Sequence, residues 1–217
     1  MKKIAIFGAG GFGREVKTIV DAINKTQPNT YNFVGFYDDG KEKGSIINGF
    51  PVLGGIKELN EVTSELSLII SIGDPKIKKV ILDKIENSKL QFPTIIHPNT
   101  SISADDVTIG KGTIICEGTI ITCNIKIGDF VIFNLMCTVG HDTLIDDYCA
   151  FMPSVNISGE VHLYQGVYVG TGAKIINLLE IGENTIIGAG AVVSKSLPAN
   201  CTAVGIPAKP IKFHEVI

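Results

Sequence analysis

Residues 109–145 read IGKGTI, ICEGTI, ITCNIK, IGDFVI, FNLMCT, VGHDTL and I, and this stretch decides the fold. Steps of six from Ile109 give Ile115, Ile121, Ile127, Phe133, Val139, Ile145, Phe151, Ile157, Leu163, Val169, Ile175, Ile181, Ile187 and Val193, all aliphatic or Phe. Four places after each lead comes a small or aliphatic residue, among them Thr113, Thr119, Cys137, Thr143, Cys149 and Ala173. An ordinary β-domain alternates with a period of two and would not hold a six-step frame for so long, whereas a fixed short period marks a solenoid. Each hexad reads as one short strand and one turn, with its lead residue inside a prism and its small residue in the inner corner. Three hexads close a triangular coil, so residues 18 apart stack. A coil buries little on its own, so the solenoid needs several coils and capped ends.

Upstream the pattern is different. Ile4–Phe7 is an apolar strand that runs into Gly8-Ala9-Gly10-Gly11-Phe12-Gly13, and a helical stretch follows from Arg14 to Asn24. A second strand, Phe33–Tyr37, ends in Asp38-Asp39, and a third, Leu66–Ile72, ends in Gly73-Asp74. Pro75–Asn87 reads as a helix with proline in its first turn. Strands alternating with helices predict a small parallel sheet of about three strands. The expected organisation is an α/β Rossmann-like domain over 1–93, then a left-handed parallel β-helix over 94–217 with a C-terminal cap after Val193.

Composition narrows the class. Of 217 residues, 45% are hydrophobic and 19% charged, and the net charge is -3, with no Lys/Arg block to suit nucleic acid. No apolar run approaches the ~20 residues that span a bilayer. The start, MKKIAIFGAGGFG, has a signal peptide's two lysines, but glycines cut its apolar stretch short. Cys116, Cys123, Cys137, Cys149 and Cys201 form no CxxC pair and are odd in number, so reduced thiols and a cytoplasmic location are expected.

The hexads resemble those of the left-handed β-helix acyltransferases. With GAGGFGRE near the start, Phe36-Tyr37-Asp38-Asp39, Ser71-Ile72-Gly73-Asp74, Ile96-His97-Pro98, Val139-Gly140-His141-Asp142 and Gly205-Ile206-Pro207-Ala208-Lys209, the whole chain is similar to one family. That family comprises the sialic acid O-acetyltransferases and the N-acetyltransferases of nucleotide-linked amino sugars. The resemblance implies acetyl-CoA as co-substrate, a nucleotide sugar as acceptor, no metal, and a homotrimer with sites between subunits. It also implies surface-glycan synthesis on a 4-amino-4,6-dideoxyhexose.

His141 stands two places past a lead residue, off the inward positions, and so faces outward. An imidazole has a reference pKa of ~6.5 and can take a proton near neutrality, as acetyl transfer to an amine or hydroxyl requires. The family's general base lies in this VGHD setting, which makes His141 catalytic and Asp142 its orienting partner. One coil on is Gly159, whose backbone N–H is expected to meet the thioester oxygen. The family also keeps the position of Asn134 polar near the site. Gly170, Gly172, Gly188 and Gly190 leave room for the pantetheine arm, and Lys209 suits the cofactor's phosphates. A second role for these glycines is tight-corner geometry.

The loop Gly8, Gly10, Gly11, Phe12, Gly13 fits G-x-G-x-x-G between a strand and a helix, a geometry that holds phosphate. Asp38 or Asp39 after the second strand suits a ribose or base contact, with Gly73 and Asp74 nearby. Alone this loop suggests NAD; the resemblance points instead to a sugar nucleotide. Several amino-sugar relatives carry histidine where this chain has Phe12 and Ala150, so its sugar contacts depart from theirs. Three rivals stand: a sialic-acid-type sugar O-acetyltransferase using the same base, a non-enzymatic trimeric dinucleotide-binding scaffold, and a γ-type carbonic anhydrase. The last needs three converging histidines, whereas His141 and His162 are out of register.

Overall fold

The computed structural model describes residues 1–215 and divides into two compact units, 1–98 and 99–215. The expected 93/94 boundary falls inside the first of them.

The first unit is a sheet flanked by helices. Its elements are β1 (Lys2–Phe7), α1 (Gly11–Thr26), β2 (Tyr31–Tyr37), β3 (Ile46–Ile47), β4 (Phe50–Gly54), α2 (Ile56–Asn60), β5 (Leu66–Ile70), α3 (Pro75–Asp83) and β6 (Leu90–Gln91). The strand order is β3-β4-β2-β1-β5-β6, with all neighbours parallel except the β3–β4 hairpin. The sheet therefore has six strands where three were expected. The missed hairpin turns on Asn48-Gly49, both at positive φ, a pairing that favours two-residue hairpin turns. Helix α3 stops at Asp83, short of the expected Asn87, because Asn87 is held in a loop by the carbonyls of Leu59, Asn60 and Val62. Helix α1 buries Gly13, Val16, Ile19 and Val20. A side chain on Gly13 would meet Gly8 O at 1.8 Å, so only glycine lets the helix lie this close to β1.

The second unit is the expected left-handed-type β-solenoid. Two-residue strands stack in parallel 18 residues apart, for example Ile114↔Ile132, Thr138↔Asn156 and Leu144↔His162. Three faces result. The first carries Ile114–Ile115, Ile132–Phe133, Ala150–Phe151, Tyr168–Val169 and Ile186–Ile187. The second carries Ile120–Ile121, Thr138–Val139, Asn156–Ile157 and Lys174–Ile175; the third, Ile125–Ile127, Leu144–Ile145, His162–Leu163 and Glu180–Ile181. Lead residues from Ile115 to Val193 are buried, and burying one aliphatic side chain is worth about 1.5–3 kcal/mol. Phe133 and Phe151, one coil apart, stack at 4.9 Å in the prism.

The turns obey a rule of their own. Every sixth residue from Asp106 to Gly190 has positive φ, including the bulky Phe130, Met136, Tyr148 and Leu178. A left-handed conformation costs a non-glycine residue about 1–2 kcal/mol. The return is a bond between coils: the N–H at this position donates to the carbonyl 19 residues earlier, as Met136 to Glu117 (3.0 Å) and Tyr148 to Asp129 (2.8 Å). After Ile187 the repeat shortens. Ile186 pairs with Thr202, and Cys201–Val204 then pairs antiparallel with Lys209–Phe213, forming the C-terminal hairpin.

Candidate active site

His141 and Asp142 lie on the corner between the second and third faces. Asp142 takes the left-handed position (φ 56°), which turns its carboxylate back along its own corner. His141 Nδ1 lies 2.7 Å from Asp142 Oδ2, so these sequence neighbours do point at one another. The other oxygen, Oδ1, accepts from Asn124 Nδ2 at 3.0 Å. Asn124 sits one coil earlier, also left-handed (φ 57°). The hydrogen bond to His141, and after it the one from Asn124, hold the Asp142 carboxyl below the usual carboxylate range. The imidazole itself is 57% exposed, which leaves Nε2 open to a ligand.

Gly159 is buried one coil further on. A Cβ built there would stand 2.6 Å from both His141 Cε1 and Nε2, so the ring fills the space a side chain would take. A Cβ on Gly140 would come within 2.6 Å of Gly159 N. Two glycines thus clear the surroundings of one amide. At other corners a side-chain oxygen takes up the equivalent N–H: Asp129 for Lys111, Asp147 for Asp129, Asn134 for Leu135. Among the described residues, Gly159 N–H has no such acceptor. An unpaired amide beside a base is the arrangement that stabilises a developing oxyanion.

The remaining solenoid candidates occupy a different corner. Asn134, Gly170, Gly172, Gly188 and Gly190 all lie between the first and second faces, a full side of the triangle from His141. Asn134 is buried, with its Oδ1 on Leu135 N–H at 2.7 Å. Gly172 and Gly190 are left-handed with open space around them, whereas a Cβ on Gly170 would meet Ala189 N at 2.5 Å. Lys209 opens the exposed last strand of the hairpin. The site candidates therefore form two half-sites, at the two ends of the second face.

In the first unit, the glycine loop lies at the carboxyl end of β1, with Asp38 closing β2 and Ser71 following β5. Asp38 Oδ2 accepts from Ala9 N–H (2.8 Å) and its Oδ1 from Gly40 N–H (2.8 Å). Asp39 Oδ1 accepts from Ile56 N–H, and Asp74 caps α3 through Lys76 and Ile77 N–H. Gly73 directly precedes that cap. Sequence reasoning missed Ser71 in this role: its buried hydroxyl lies 2.8 Å from Phe7 O and 3.0 Å from Gly8 O, fixing the turn. Gly10 and Gly11 are unobstructed, and Phe12 is partly buried in the first turn of α1. This crevice at the carboxyl ends of neighbouring parallel strands is where open α/β sheets take ligands.

Cys137 occupies an inner corner, its Sγ 3.4 Å from Met152 O, and burial pushes the thiol up to about 11. His162 lies apart from His141, paired with Asp146 at 3.2 Å and stacked on Tyr164. Among the described residues there is no His/Cys/Asp/Glu cluster fit for a metal and no helix long and apolar enough to cross a membrane.

Comparison with known proteins now decides the family. Residues 3–85 match the PglD N-terminal domain. The GDP-perosamine N-acetyltransferase of Escherichia coli O157:H7 is 36% identical over 218 residues, spanning 98% of this chain and 97% of that one. The chain belongs to the hexapeptide-repeat N-acetyltransferases of nucleotide-linked amino sugars. Two solved members share the fold along their length. The acetyltransferase domain of PglB from Neisseria gonorrhoeae FA1090, in complex with acetyl coenzyme A, superposes with a TM-score of 0.87 at 30% identity, covering 97% of this chain and 99% of that one. The other is a histidine-to-asparagine variant of perosamine N-acetyltransferase from Caulobacter crescentus, in complex with CoA and GDP-perosamine. It gives 0.87 at 27% identity, covering 98% of each.

Proposed function

We propose that this family member transfers the acetyl group of acetyl-CoA to the amine of a GDP-linked 4-amino-4,6-dideoxyhexose of the perosamine type, with His141 as general base. The full-length likeness to GDP-perosamine N-acetyltransferase supports the acceptor. The observation that carries the chemistry is the 2.7 Å contact of His141 Nδ1 with Asp142, beside the unpaired Gly159 amide. With Nδ1–H donating to the carboxylate, Nε2 is the unprotonated nitrogen and accepts the amine proton as nitrogen attacks the thioester carbonyl. The N–C bond forms, the Gly159 N–H donates to the carbonyl oxygen, and the C–S bond breaks. The departing thiolate takes the proton back from His141. No acyl-enzyme is formed.

The first unit, in this reading, binds the nucleotide sugar through the glycine loop, Gly73 and the turns that Asp38, Asp39 and Asp74 hold. The two half-sites call for a homotrimer. One copy's His141 corner would meet its neighbour's corner, which carries Asn134 and the pantetheine-side Gly170, Gly172, Gly188 and Gly190, with Lys209 towards the phosphates. Head-to-tail contacts of this kind close into rings.

Thiol release from acetyl-CoA against a panel of GDP-, UDP- and dTDP-linked amino sugars, with their hydroxyl counterparts, tests this reading. Turnover with the GDP-linked amine and none with the hydroxyl sugar is expected. Turnover on hydroxyl acceptors alone, or calorimetric binding of NAD with no response to any nucleotide sugar, would overturn it.

A further inference from the structure

We infer that Asn124 is a positioning residue for His141, acting through Asp142 from one coil away. The inference rests on His141 being the general base. Asp142 is exposed and stands on a turn, where a carboxylate ordinarily samples several rotamers. Here both of its oxygens are committed: Oδ2 to His141 Nδ1 and Oδ1 to Asn124 Nδ2. The amide fixes the carboxylate plane, and the carboxylate fixes the imidazole tautomer and the direction of Nε2. A base needs that direction set before its substrate arrives, since orientation alone accounts for large factors in rate.

The residue type fits the task. Asn124 occupies one of the left-handed turn positions (φ 57°), where asparagine is among the best tolerated non-glycine residues. The same column of this corner holds Asp106, Asp142 and Glu160 at neighbouring coils, each left-handed. A carboxylate at 124 would add a fourth acid to the column and give Asp142 no donor. Asparagine supplies an N–H donor without charge and suits the turn. Glycine would suit the backbone equally well and supply nothing to Asp142, so the two roles can be separated.

Asn124→Gly keeps the left-handed turn and deletes the amide. It is expected to lower kcat about 10-fold, the lower end of what a hydrogen bond to a charged group supports, with KM for both substrates and Tm nearly unchanged. Asn124→Asp, near in shape, should lower kcat at least as far. The deciding measurement is a double-mutant cycle with Asp142→Ala. If Asn124 acts only through Asp142, Asn124→Gly changes kcat less than about two-fold in the Asp142→Ala background. An equal loss in both backgrounds, or no loss in the wild type, overturns the proposal. His141→Ala, run in parallel, tests the base separately: full turnover there would sink the base and not the Asn124–Asp142 coupling, which the cycle still reads.

Discussion

The imidazole of His141 rests directly over Gly159, one coil further along the solenoid, and fills the place of the side chain that Gly159 lacks. Base and amide are therefore held by one contact between neighbouring turns. Gly159 does not have positive φ, so alanine is allowed by its backbone, and the conflict is with the ring alone. Gly159→Ala should move the imidazole and lower kcat by about 10², the scale of losing one oxyanion donor or misplacing a base, while Tm stays within a few degrees. Steady-state kinetics and a melting curve check this; unchanged kcat would mean that the amide and the ring position do not matter to the reaction.

Cys137 gives a prediction with a defined pH window. Its pKa is raised from 9.0 to about 11 by burial, so the folded protein holds the neutral thiol where the unfolded chain would ionise. The contribution to stability is fully present below pH 9 and is lost as pH rises towards 11. Chemical denaturation between those pH values should show a steeper fall for the wild type than for Cys137→Ala. The same variant should lose stability by about 1 kcal/mol or more and keep most of its turnover. Trapping of an acetyl group on Cys137 by mass spectrometry would replace direct attack with a covalent route.

Complementation tests the two corners. His141→Ala and Asn134→Ala, each impaired alone, would place their lesions in different half-sites. Co-expressed at equal levels, they should recover about a quarter of wild-type activity, because random ring assembly pairs an intact His141 corner with an intact Asn134 corner at that frequency. No recovery in mixed oligomers, or full activity from a monomer in light scattering, would place both halves in one chain.

Asp38 is expected to act on binding more than on chemistry. Its two oxygens hold Ala9 and Gly40 N–H, so Asp38→Ala frees the glycine loop. KM for the nucleotide sugar should rise several-fold with kcat for bound substrate largely kept, at a cost of about 1–3 kcal/mol in stability. A fall in kcat with KM unchanged would assign Asp38 to the chemical step.

The solenoid was legible because its rule is local: one lead residue in six must be apolar, and none from Ile109 to Val193 breaks it. The left-handed corners were half legible. Gly112, Gly118, Asn124, Gly166, Gly172 and Asn184 advertise them, while Phe130, Met136 and Leu178 sit in the same slot by virtue of the bonds between coils. His141 could be found from its motif and its outward position. Asn124 could have been found by stepping back 18 residues from Asp142, yet its role depends on how two side chains turn. The carboxylates of Asp38, Asp39 and Asp74 read as ligand contacts in the sequence, and their engagement by backbone N–H groups required the fold. The end of the solenoid was the least legible part, since the repeat does not decay in sequence before its register shortens.

That shortened end has a consequence for how the molecule behaves in a crowd. A stack of identical coils is a polymer waiting for its next unit, because its terminal turn offers unpaired backbone to any chain that can extend it. The hairpin from Cys201 to Phe213 removes the offer: its first strand adds to the stack out of step, and its second runs the wrong way for a further coil. That outer strand carries Lys209, Pro210 and Lys212, residue types that discourage strand-to-strand growth. The residues that stop the fold from continuing are thus the ones that keep separate molecules from joining end to end into a fibre.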